Sequence, residues 1–228
     1  MENRSFSDSP KKDGRAVPAG VSPAVIRRLP RYHRYLKKLL SAGVMRISSG
    51  ELAKLMNITA SQIRQDLNCF GGFGQQGYGY NVKYLDSKIT EILGLENDRC
   101  AVLIGAGNFG RTIAGSNVFG KSGVRLAAMF DKDESIVGQK IADIPVYPMS
   151  ELSRFCTENR VDIAILTVPQ SAAQKAATTL CELGVRGIWN LTDEELYLPG
   201  VTVENVQLSD SLMMLMYRIG GENKKDKK

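Results

Sequence analysis

The stretch C-A-V-L-I-G-A-G-N-F-G, residues 100–110, decides the fold of the second half of this chain. A short apolar strand runs into the pattern G-x-G-x-x-G, and a helix is predicted to begin at about Asn108. In this pattern Gly105 permits a tight turn, Gly107 lets the backbone approach a pyrophosphate, and Gly110 lets helix and strand pack closely. The spacing therefore predicts a unit that binds a dinucleotide.

A carboxylate follows this loop at the distance that such sites require. Asp131 comes 21 residues after Gly110, at the end of the next predicted strand, where it would accept hydrogen bonds from the adenosine ribose hydroxyls. It would repel a 2′-phosphate and so favours NAD(H), whereas Lys132 and Arg111 act in the opposite direction. An idle loop, or one that holds coenzyme A, is the alternative. The predicted cofactor contacts are Gly105, Ala106, Gly107, Asn108, Phe109, Gly110, Asp131, Lys132, Val168, Pro169 and Asn190.

Strands and helices alternate through the rest of this region. Further strands are predicted at residues 125–130, 162–166 and 186–189, and further helices at residues 150–158 and 170–183. Such alternation predicts a parallel sheet with right-handed crossovers, a Rossmann-type domain. An amphipathic helix rich in Leu and Met is predicted over residues 209–219.

The stretch T-A-S-Q-I-R-Q-D-L, residues 59–67, has the character of a DNA-reading helix, about 40 residues before the glycine loop. Thr59 can cap this helix, and its outer side is polar. Ser48 or Ser49 can cap a preceding helix over residues 50–56. Two short helices joined by a tight turn predict a helix-turn-helix.

The sequence on either side completes a winged-helix domain. Residues 21–40 have helical apolar spacing, and Pro30 predicts a kink or a division into two segments. Residues 70–82, F-G-G-F-G-Q-Q-G-Y-G-Y-N-V, alternate glycines with aromatics and predict a β-hairpin wing. A linking helix over residues 83–93 is expected to end at Gly94.

The side chains of this domain suit contact with a duplex. Arginine can bind guanine through two hydrogen bonds, glutamine can bind adenine, and hydroxyls can hold phosphates. A three-helix bundle that binds protein is the alternative. The predicted DNA contacts are Arg28, Arg46, Ser48, Ser49, Thr59, Ser61, Gln62, Arg64, Gln65, Gln76, Gly77 and Tyr78.

The charge distribution supports this division of roles. Residues 21–90 contain 11 Lys and Arg against 3 Asp and Glu, whereas residues 91–222 contain 11 against 17. A basic segment joined to an acidic remainder is typical of a polyanion-binding domain attached to a domain of another kind. A solvated face without a partner is the alternative.

Other classes of protein are disfavoured. No apolar run approaches the roughly 20 residues of a membrane span, and the N-terminus lacks the apolar segment of a signal peptide, so we expect a cytoplasmic protein. A hydride-transfer enzyme needs an acid or base near the nicotinamide, yet the one histidine, His33, precedes the glycine loop. We therefore expect a protein that is not an enzyme and that binds no metal. Free thiols are expected at Cys69, Cys100, Cys156 and Cys181.

Several stretches resemble the Rex family of bacterial redox-sensing transcriptional repressors, from about residue 21 to residue 219. They are A-V-I-R-R-L-P-R-Y-H-R-Y-L, T-A-S-Q-I-R-Q-D-L, the wing sequence, G-A-G-N-F-G, F-D-K-D and L-T-V-P-Q-S-A-A-Q-K-A-A. The resemblance implies a homodimer on a palindromic, A/T-rich double-stranded operator. It implies release from DNA when NADH binds, with NAD⁺ competing. It also implies a C-terminal helix exchanged between subunits.

The sequence departs from the pattern of that family in its switch. The family usually has a Tyr where Ser116 stands, and an Asp where Gln207 stands. The resemblance implies that this Asp bridges to an Arg of the partner's first helix, the position that Arg34 matches. Arg34, Ser116 and Gln207 are therefore the predicted switch residues. A paralogue with an altered or lost NADH response is one alternative, and a small NAD-dependent oxidoreductase is another.

The sequence as a whole predicts an α/β protein with an N-terminal winged-helix domain, a Rossmann domain and an exchanged C-terminal helix. The predicted segments are a disordered tail (residues 1–20), the winged-helix DNA-binding domain (21–94), the Rossmann NAD(H)-binding domain (95–206), the dimerisation helix (207–220) and a basic tail (221–228).

Overall fold

The computed structural model describes residues 21–75 and 78–222, and the chain divides into two compact units, Met1–Glu96 and Asn97–Lys228. The predicted disordered tail and residues 223–228 of the predicted basic tail lie outside the described residues. In the part of the chain that is described, no helix is both long enough and apolar enough to cross a membrane.

The first unit consists of helices and a small antiparallel sheet. In its described residues, strand β3 pairs with β1 on one side and with β2 on the other, so β2 and β3 form the hairpin that the sequence predicts as a wing. The elements in chain order are α1 (Pro23–Ser41), β1 (Arg46–Ile47), α2 (Ser49–Met56), α3 (Ala60–Asn68), β2 (Gly74–Gln75), β3 (Gly79–Asn81) and α4 (Val82–Leu93).

Polar side chains fix the ends of the two short helices α2 and α3. The Ser48 hydroxyl accepts a hydrogen bond from the backbone N–H of Glu51, and the Glu51 carboxylate accepts one from the backbone N–H of Ser48. Asn57 has a left-handed backbone that ends α2. Thr59 caps α3 by accepting from the backbone N–H of Gln62. The predicted helix-turn-helix is confirmed.

Pro30 lies within α1 without ending it. The helix is continuous from Pro23 to Ser41, so the predicted division into two segments is wrong. Pro30 is exposed, and the packing of the opposite face outweighs the one backbone hydrogen bond that proline cannot donate. The buried residues of this face are Val25, Leu29, Tyr32 and Leu36.

The core of the first unit joins all of its helices. Ile63 and Leu67 of α3 are fully buried in it. Burying such a side chain contributes roughly 1.5–3 kcal/mol, so these two residues fix which face of α3 remains outside. Other fully buried members are Leu29, Tyr32, Leu36, Leu52, Met56, Val82, Leu85 and Ile89.

The second unit is a Rossmann-type domain, as predicted. Its sheet, in the described residues, has the order β10-β9-β8-β4-β5-β7-β6, and all pairs are parallel except β6 with β7. The elements are β4 (Arg99–Ile104), α5 (Asn108–Ala114), β5 (Val124–Asp131), β6 (Lys140–Ile141), β7 (Ile144–Pro148), α6 (Leu152–Glu158), β8 (Ile163–Leu166), α7 (Gln170–Glu182), β9 (Gly187–Asn190), β10 (Thr202–Asn205) and α8 (Leu208–Glu222).

Strands β6, β7 and β10 were not predicted from the sequence. β7 contains Pro145 and Pro148, and proline is a signal against a strand because it cannot donate to a neighbouring strand. Val146 between them is nevertheless buried and pairs with Met129 of β5. Tertiary packing therefore decides this segment.

Helix α8 has little contact with the rest of the chain. Its apolar side chains remain between 48% and 77% exposed: Leu208, Leu212, Met213, Met214, Leu215, Met216, Tyr217 and Ile219. A contiguous apolar surface of this kind is rare on a monomer and marks an interaction site. The apolar side chains of α8 are therefore not covered within the single chain.

Candidate nucleotide site and DNA-reading surface

The carboxyl ends of β4 and β8 lie side by side where the strand order reverses. From β4 the chain continues to β5 on one side, and it later returns to β8 on the other. Gly105 follows β4, Thr167 follows β8, and the Thr167 hydroxyl donates a hydrogen bond to the Gly105 carbonyl oxygen at 2.7 Å. A crevice at such a reversal is where open α/β sheets bind ligands.

Two of the three loop glycines are required by packing. Gly105 has φ of +101°, and a Cβ there would lie 2.9 Å from the carbonyl oxygen of Thr167. A Cβ on Gly110 would collide with the carbonyl oxygen of Gly105. Gly107 is different, because a Cβ there would meet nothing within 4 Å. The space beside Gly107 can therefore take a bound group such as a pyrophosphate.

Asp131 is held against this loop at the end of β5. Its Oδ2 accepts a hydrogen bond from the backbone N–H of Ala106 at 2.5 Å, and its Oδ1 accepts one from the backbone N–H of Asp133 at 3.0 Å. Arg111 donates from Nε to the Ala106 carbonyl oxygen at 2.9 Å and supports the same turn. A carboxylate has about four acceptor positions, so each oxygen of Asp131 retains capacity for a ribose hydroxyl.

The other predicted cofactor contacts lie at the same end of the sheet. Asn108 and Phe109 are exposed in the first turn of α5, and Lys132 is exposed directly after Asp131. Val168 is half-buried and Pro169 is exposed between β8 and α7. Predicted cofactor contacts that are accessible to solvent therefore lie on both sides of β4.

The prediction that Asn190 contacts the cofactor is not supported by its side chain, which is fully buried and engaged within the protein. Its Nδ2 donates to the carbonyl oxygen of Glu194 at 2.6 Å and to Oδ1 of Asn205 at 2.8 Å. Its Oδ1 accepts from the backbone N–H and the hydroxyl of Thr192 at 3.2 and 2.8 Å. An amide can make about four hydrogen bonds, and all are used here to hold the loop after β9.

The predicted switch residues have local partners or face solvent. The Ser116 hydroxyl is exposed and donates to the carbonyl oxygen of Ile113 at 2.7 Å. Gln207 donates from Nε2 to the carbonyl oxygen of Thr192 at 3.3 Å, which ties the residue before α8 to the loop after β9. Arg34 is exposed on α1.

The outer face of α3 carries the predicted reading residues. Ser61, Arg64 and Gln65 are exposed there. The Arg64 guanidinium donates from Nη1 to the hydroxyl of Ser49 on α2 at 3.1 Å. This bond holds the arginine across the helix-turn-helix and leaves its other donors for a base or a phosphate.

The hydroxyls of Ser48 and Thr59 have structural partners. Ser48 belongs to the capping box of α2 and also donates from Oγ to the Glu51 carboxylate at 2.7 Å. Thr59 caps α3. Their predicted phosphate contacts would have to add to these bonds or replace them, whereas Ser49 and Ser61 are not engaged in caps.

Arg46 lies beside the wing. It donates from Nη1 to the carbonyl oxygen of Tyr78 at 3.3 Å, and its guanidinium lies 5.9 Å from the centre of the Tyr78 ring. The Tyr78 side chain is 70% exposed. Gln76 and Gly77, predicted as contacts at the tip, lie outside the described residues.

A partly buried ion pair engages Arg28, one of the predicted DNA contacts. Its Nε and Nη2 donate to the two carboxylate oxygens of Asp66 on α3, both at 2.7 Å. Tyr32 donates to Asp66 from its hydroxyl at 2.9 Å, and Gln62 donates from Nε2 at 2.8 Å. Nε and Nη2 of Arg28 are engaged with Asp66 and join α1 to α3, so the predicted phosphate contact of Arg28, which stays a prediction, would use its remaining N–H donors.

These contacts change the acidity of the groups involved. Burial would raise the pKa of Asp66, but the hydrogen bonds from Arg28, Gln62 and Tyr32 outweigh burial and hold the pKa below its ordinary value. Burial raises the pKa of the Tyr32 phenol, and its hydrogen bond to Asp66 raises it further. The carboxylate is thus stabilised as an anion inside the domain.

Asp66 and Thr167 are structurally important residues that the sequence alone does not single out. One local signal for Asp66 was present, because Gln62 and Asp66 are four residues apart and face each other on a helix. The partners on α1 are 34 and 38 residues away, and only the tertiary structure brings them close. No signal in the sequence marks Thr167 as the support of the glycine loop.

Known families match both units. Residues 20–68 match a family model described as "Putative DNA-binding protein N-terminus", and residues 96–194 match one described as "CoA binding domain". The redox-sensing transcriptional repressor Rex of Clostridium botulinum (strain Alaska E43 / Type E3) is 51% identical over 200 residues, 87% of this chain and 95% of the relative. The repressor Rex of Thermoanaerobacter sp. (strain X514) is 51% identical over 203 residues, 89% of this chain and 91% of the relative.

Solved structures agree with the sequence comparison. RSP in complex with β-NAD⁺ and operator DNA has a TM-score of 0.84 and 50% identity, over 91% of this chain and 96% of that one. RSP in complex with β-NADH has a TM-score of 0.83 and 47% identity, over 91% and 98% of the two chains. Both comparisons span the two units.

Proposed function

The chain belongs to the Rex family of redox-sensing transcriptional repressors, and from that membership we propose how its own residues carry out repression and sensing. The first unit holds operator DNA, the second binds NAD(H), and binding of NADH favours release of the DNA. The protein is a regulator and not an enzyme. Its place of action is the cytoplasm, where both of these ligands are found.

One observation carries this proposal: a single chain joins an exposed reading helix to a glycine cradle that is supported by Asp131. The cradle fits a dinucleotide because Gly107 leaves open space and Asp131 retains acceptor capacity for ribose hydroxyls. The same carboxylate would repel the ribose phosphate of NADP(H) or of coenzyme A. NAD(H) is therefore the proposed ligand, although the matched family model carries a coenzyme A name.

The nicotinamide cofactor supplies a redox-dependent charge when it is bound, and the chain's residues hold it without reacting. Gly105, Ala106 and Gly107 would follow the pyrophosphate, with Asn108 and Phe109 beside it. Val168 and Pro169, which follow β8, would contact the cofactor from that side. Asn190 would act by shaping the loop after β9.

For the DNA, we assign base reading to the exposed face of α3, with Arg64 as the principal contact. Arginine binds guanine through two hydrogen bonds, and each such pair contributes about 1–3 kcal/mol of discrimination. Ser49, Ser61 and Arg46 would hold phosphates on either side, and Tyr78 would follow the wing into the adjacent groove. Gln65, exposed on α3, is the second proposed reader.

We propose that α8 makes the homodimer. Its apolar side chains stay exposed within one chain, and a second copy would cover them. A dimer presents two α3 helices to two half-sites about one DNA turn apart, which accounts for a palindromic operator. The proposed segments of the chain are residues 21–94 for the winged-helix domain, 95–206 for the Rossmann domain and 207–220 for the dimerisation helix.

The placement of Ser116 and Gln207 favours a second candidate, a Rex protein whose NADH response is altered. The Ser116 hydroxyl, just after α5, donates to the Ile113 carbonyl oxygen of that helix, and Gln207 is neutral and donates to the Thr192 carbonyl oxygen. Neither supplies the phenol or the carboxylate that the family resemblance leads us to expect. The two candidates share DNA binding and differ in its regulation.

A fluorescence-polarisation assay separates the two candidates. Full-length protein first selects a duplex from a random pool, and the labelled duplex is then titrated with NADH, NAD⁺, NADPH or coenzyme A. We expect NADH to release the duplex, NAD⁺ to oppose it, and the other two to act only at higher concentration. If the fluorescence of Trp189 shows NADH binding while the duplex stays bound, the altered response is correct. Failure to select any duplex would refute DNA reading itself.

A further inference from the structure

Asp66 is an unusual residue for the helix that faces DNA. It is fully buried, whereas Ser61, Arg64 and Gln65 on the same helix are exposed. A buried carboxylate is costly unless it is paired and hydrogen-bonded. Asp66 meets that condition through partners on α1 and on its own helix. Because it has no contact with solvent, its role in α3 must lie in these internal contacts.

The hydrogen bonds of Asp66 saturate its carboxylate. Oδ2 accepts from Arg28 Nε and the Tyr32 hydroxyl, and Oδ1 accepts from Arg28 Nη2 and Gln62 Nε2, at 2.7 to 2.9 Å. About four acceptor positions are then filled. Arg28 and Tyr32 are contributed by α1, so Asp66 is a fixed point in the domain and not a mobile side chain.

This fixed point orients the amide of Gln62. A glutamine amide has a donor end and an acceptor end, and it can usually turn either end outward. A carboxylate only accepts, so it holds Nε2 and repels Oε1. One N–H of Gln62 Nε2 donates to Asp66. The other N–H and Oε1 remain available to a ligand, and their relative positions are then fixed. Reading adenine needs a donor and an acceptor in a defined order.

We propose that Asp66 is a positioning residue for base recognition, which fixes the amide of Gln62 and thereby sets the base preference at one position of each half-site. This inference rests on the proposed function, because it requires that α3 reads bases and adds Gln62 to the residues that contact them. Asp66 itself touches no DNA. Its effect is confined to the base pair that Gln62 faces.

The same domain offers a matched control. Asp86 on α4 is also a buried carboxylate, and it pairs with α1 through His33 Nδ1 at 3.0 Å and Lys37 Nζ at 3.1 Å. In the described part of the chain, these ion-pair partners lie on α1 and not on α3. Asp86→Asn therefore weakens a partly buried charge contact with α1 without releasing Gln62, and it measures the general cost of weakening the domain.

The test uses full-length protein and the duplex that the wild type selects from a random pool. Affinity is measured for a panel of duplexes in which each base pair of the half-site is replaced in turn. For Asp66→Asn we expect the preference at one base pair to fall about tenfold, or to move to another base, because the introduced amide can pair with Oε1 and turn Gln62 over. Gln62→Met should lose the base preference at the same base pair. The variant that combines Asp66→Asn with Gln62→Met should lose no more preference than Gln62→Met alone.

The outcomes are separable. Asp86→Asn should keep the wild-type profile, even where its melting temperature falls. Uniform weakening of every duplex by Asp66→Asn would show a structural role alone and overturn the proposal. Where Asp66→Asn does not fold, Gln62→Met still decides, because an unchanged profile would mean that Gln62 reads no base. If the wild type selects no sequence from the pool, the proposed function itself is wrong, and the inference fails with it.

Discussion

Arg64 on α3 and Ser49 on α2 are joined across the helix-turn-helix by a hydrogen bond of 3.1 Å from Nη1 to Oγ. Both ends of this bond lie at the surface of the domain. An arginine that is held on one side loses less freedom when it binds a base than one that is free in solvent. We therefore expect Ser49 to hold Arg64 ready for its proposed role in base reading, and substitutions of the two residues should weaken DNA binding by different amounts.

We expect Arg64→Ala to weaken binding of the selected duplex by roughly tenfold or more, the effect of about 1–3 kcal/mol of lost discrimination. Ser49→Ala should have a smaller effect, because it removes the support and leaves the reader. Polarisation titrations of both variants measure this, with Lys175→Ala on α7 as a control for the loss of one exposed positive charge. Unchanged affinity in Arg64→Ala would show that the reading helix is wrongly assigned.

Substitutions in the glycine loop can distinguish effects on ligand binding from effects on stability. Gly107→Val adds a side chain where a Cβ meets no atom within 4 Å and φ is −67°, so the domain should keep its stability and lose about tenfold or more in NADH affinity. Gly110→Ala forces a Cβ against the Gly105 carbonyl, and overpacking of this kind costs about 1–3 kcal/mol. Titration calorimetry and thermal melting distinguish the two, and equal behaviour of the two variants would contradict the assignment of space beside Gly107.

These residues also show how far the sequence determines the structure. The glycine loop and the capped helices follow from local chemistry, and they were predictable because their reasons lie within a few residues. Asp66 was not, since its charge is balanced by α1 at a distance of 38 residues along the chain. The engagement of the Asn190 side chain could not be predicted either, because its partner Asn205 lies in β10, a strand that the sequence does not mark.

The stability of the protein should depend on pH through Asp66. The pKa of its carboxyl group is lowered in the fold, by hydrogen bonds that outweigh burial. Such a group stabilises the fold at any pH above the unfolded value of about 3.9 and loses this effect as pH falls through the lower folded value. Denaturant unfolding followed by circular dichroism should therefore show the free energy of unfolding declining below about pH 4. Asp66→Asn should have a lower free energy of unfolding at about pH 7, and this free energy should fall less steeply below about pH 4 than that of the wild type. An equally steep fall in both proteins would refute the link to Asp66.

The exposed face of α8 predicts the state of assembly. Leu212→Asp combined with Met216→Asp places two charges on side chains that are each 61% exposed in the single chain, so the subunit should fold. The same charges would be buried without partners in a dimer, at a cost of several kcal/mol. Light scattering should give a dimer for the wild type and for Asp210→Asn, and a monomer for the double variant. A monomeric wild type would exclude α8 as the dimer contact.

Gln207 offers the sharpest test of the switch. Its Nε2 ties the start of α8 to the Thr192 carbonyl, and Gln207→Asp both removes this donor and sets a carboxylate beside that oxygen. The released segment gains a negative charge that can pair with Arg34 of a second copy, the arrangement that family resemblance implies. We expect half-maximal release of the duplex at about fivefold lower NADH, a typical coupling effect. Gln207→Ala should show whether loss of the bond suffices, and adding Arg34→Ala to Gln207→Asp should abolish the gain. An unchanged NADH response, in a variant that still binds NADH and forms the dimer, would remove Gln207 from the switch.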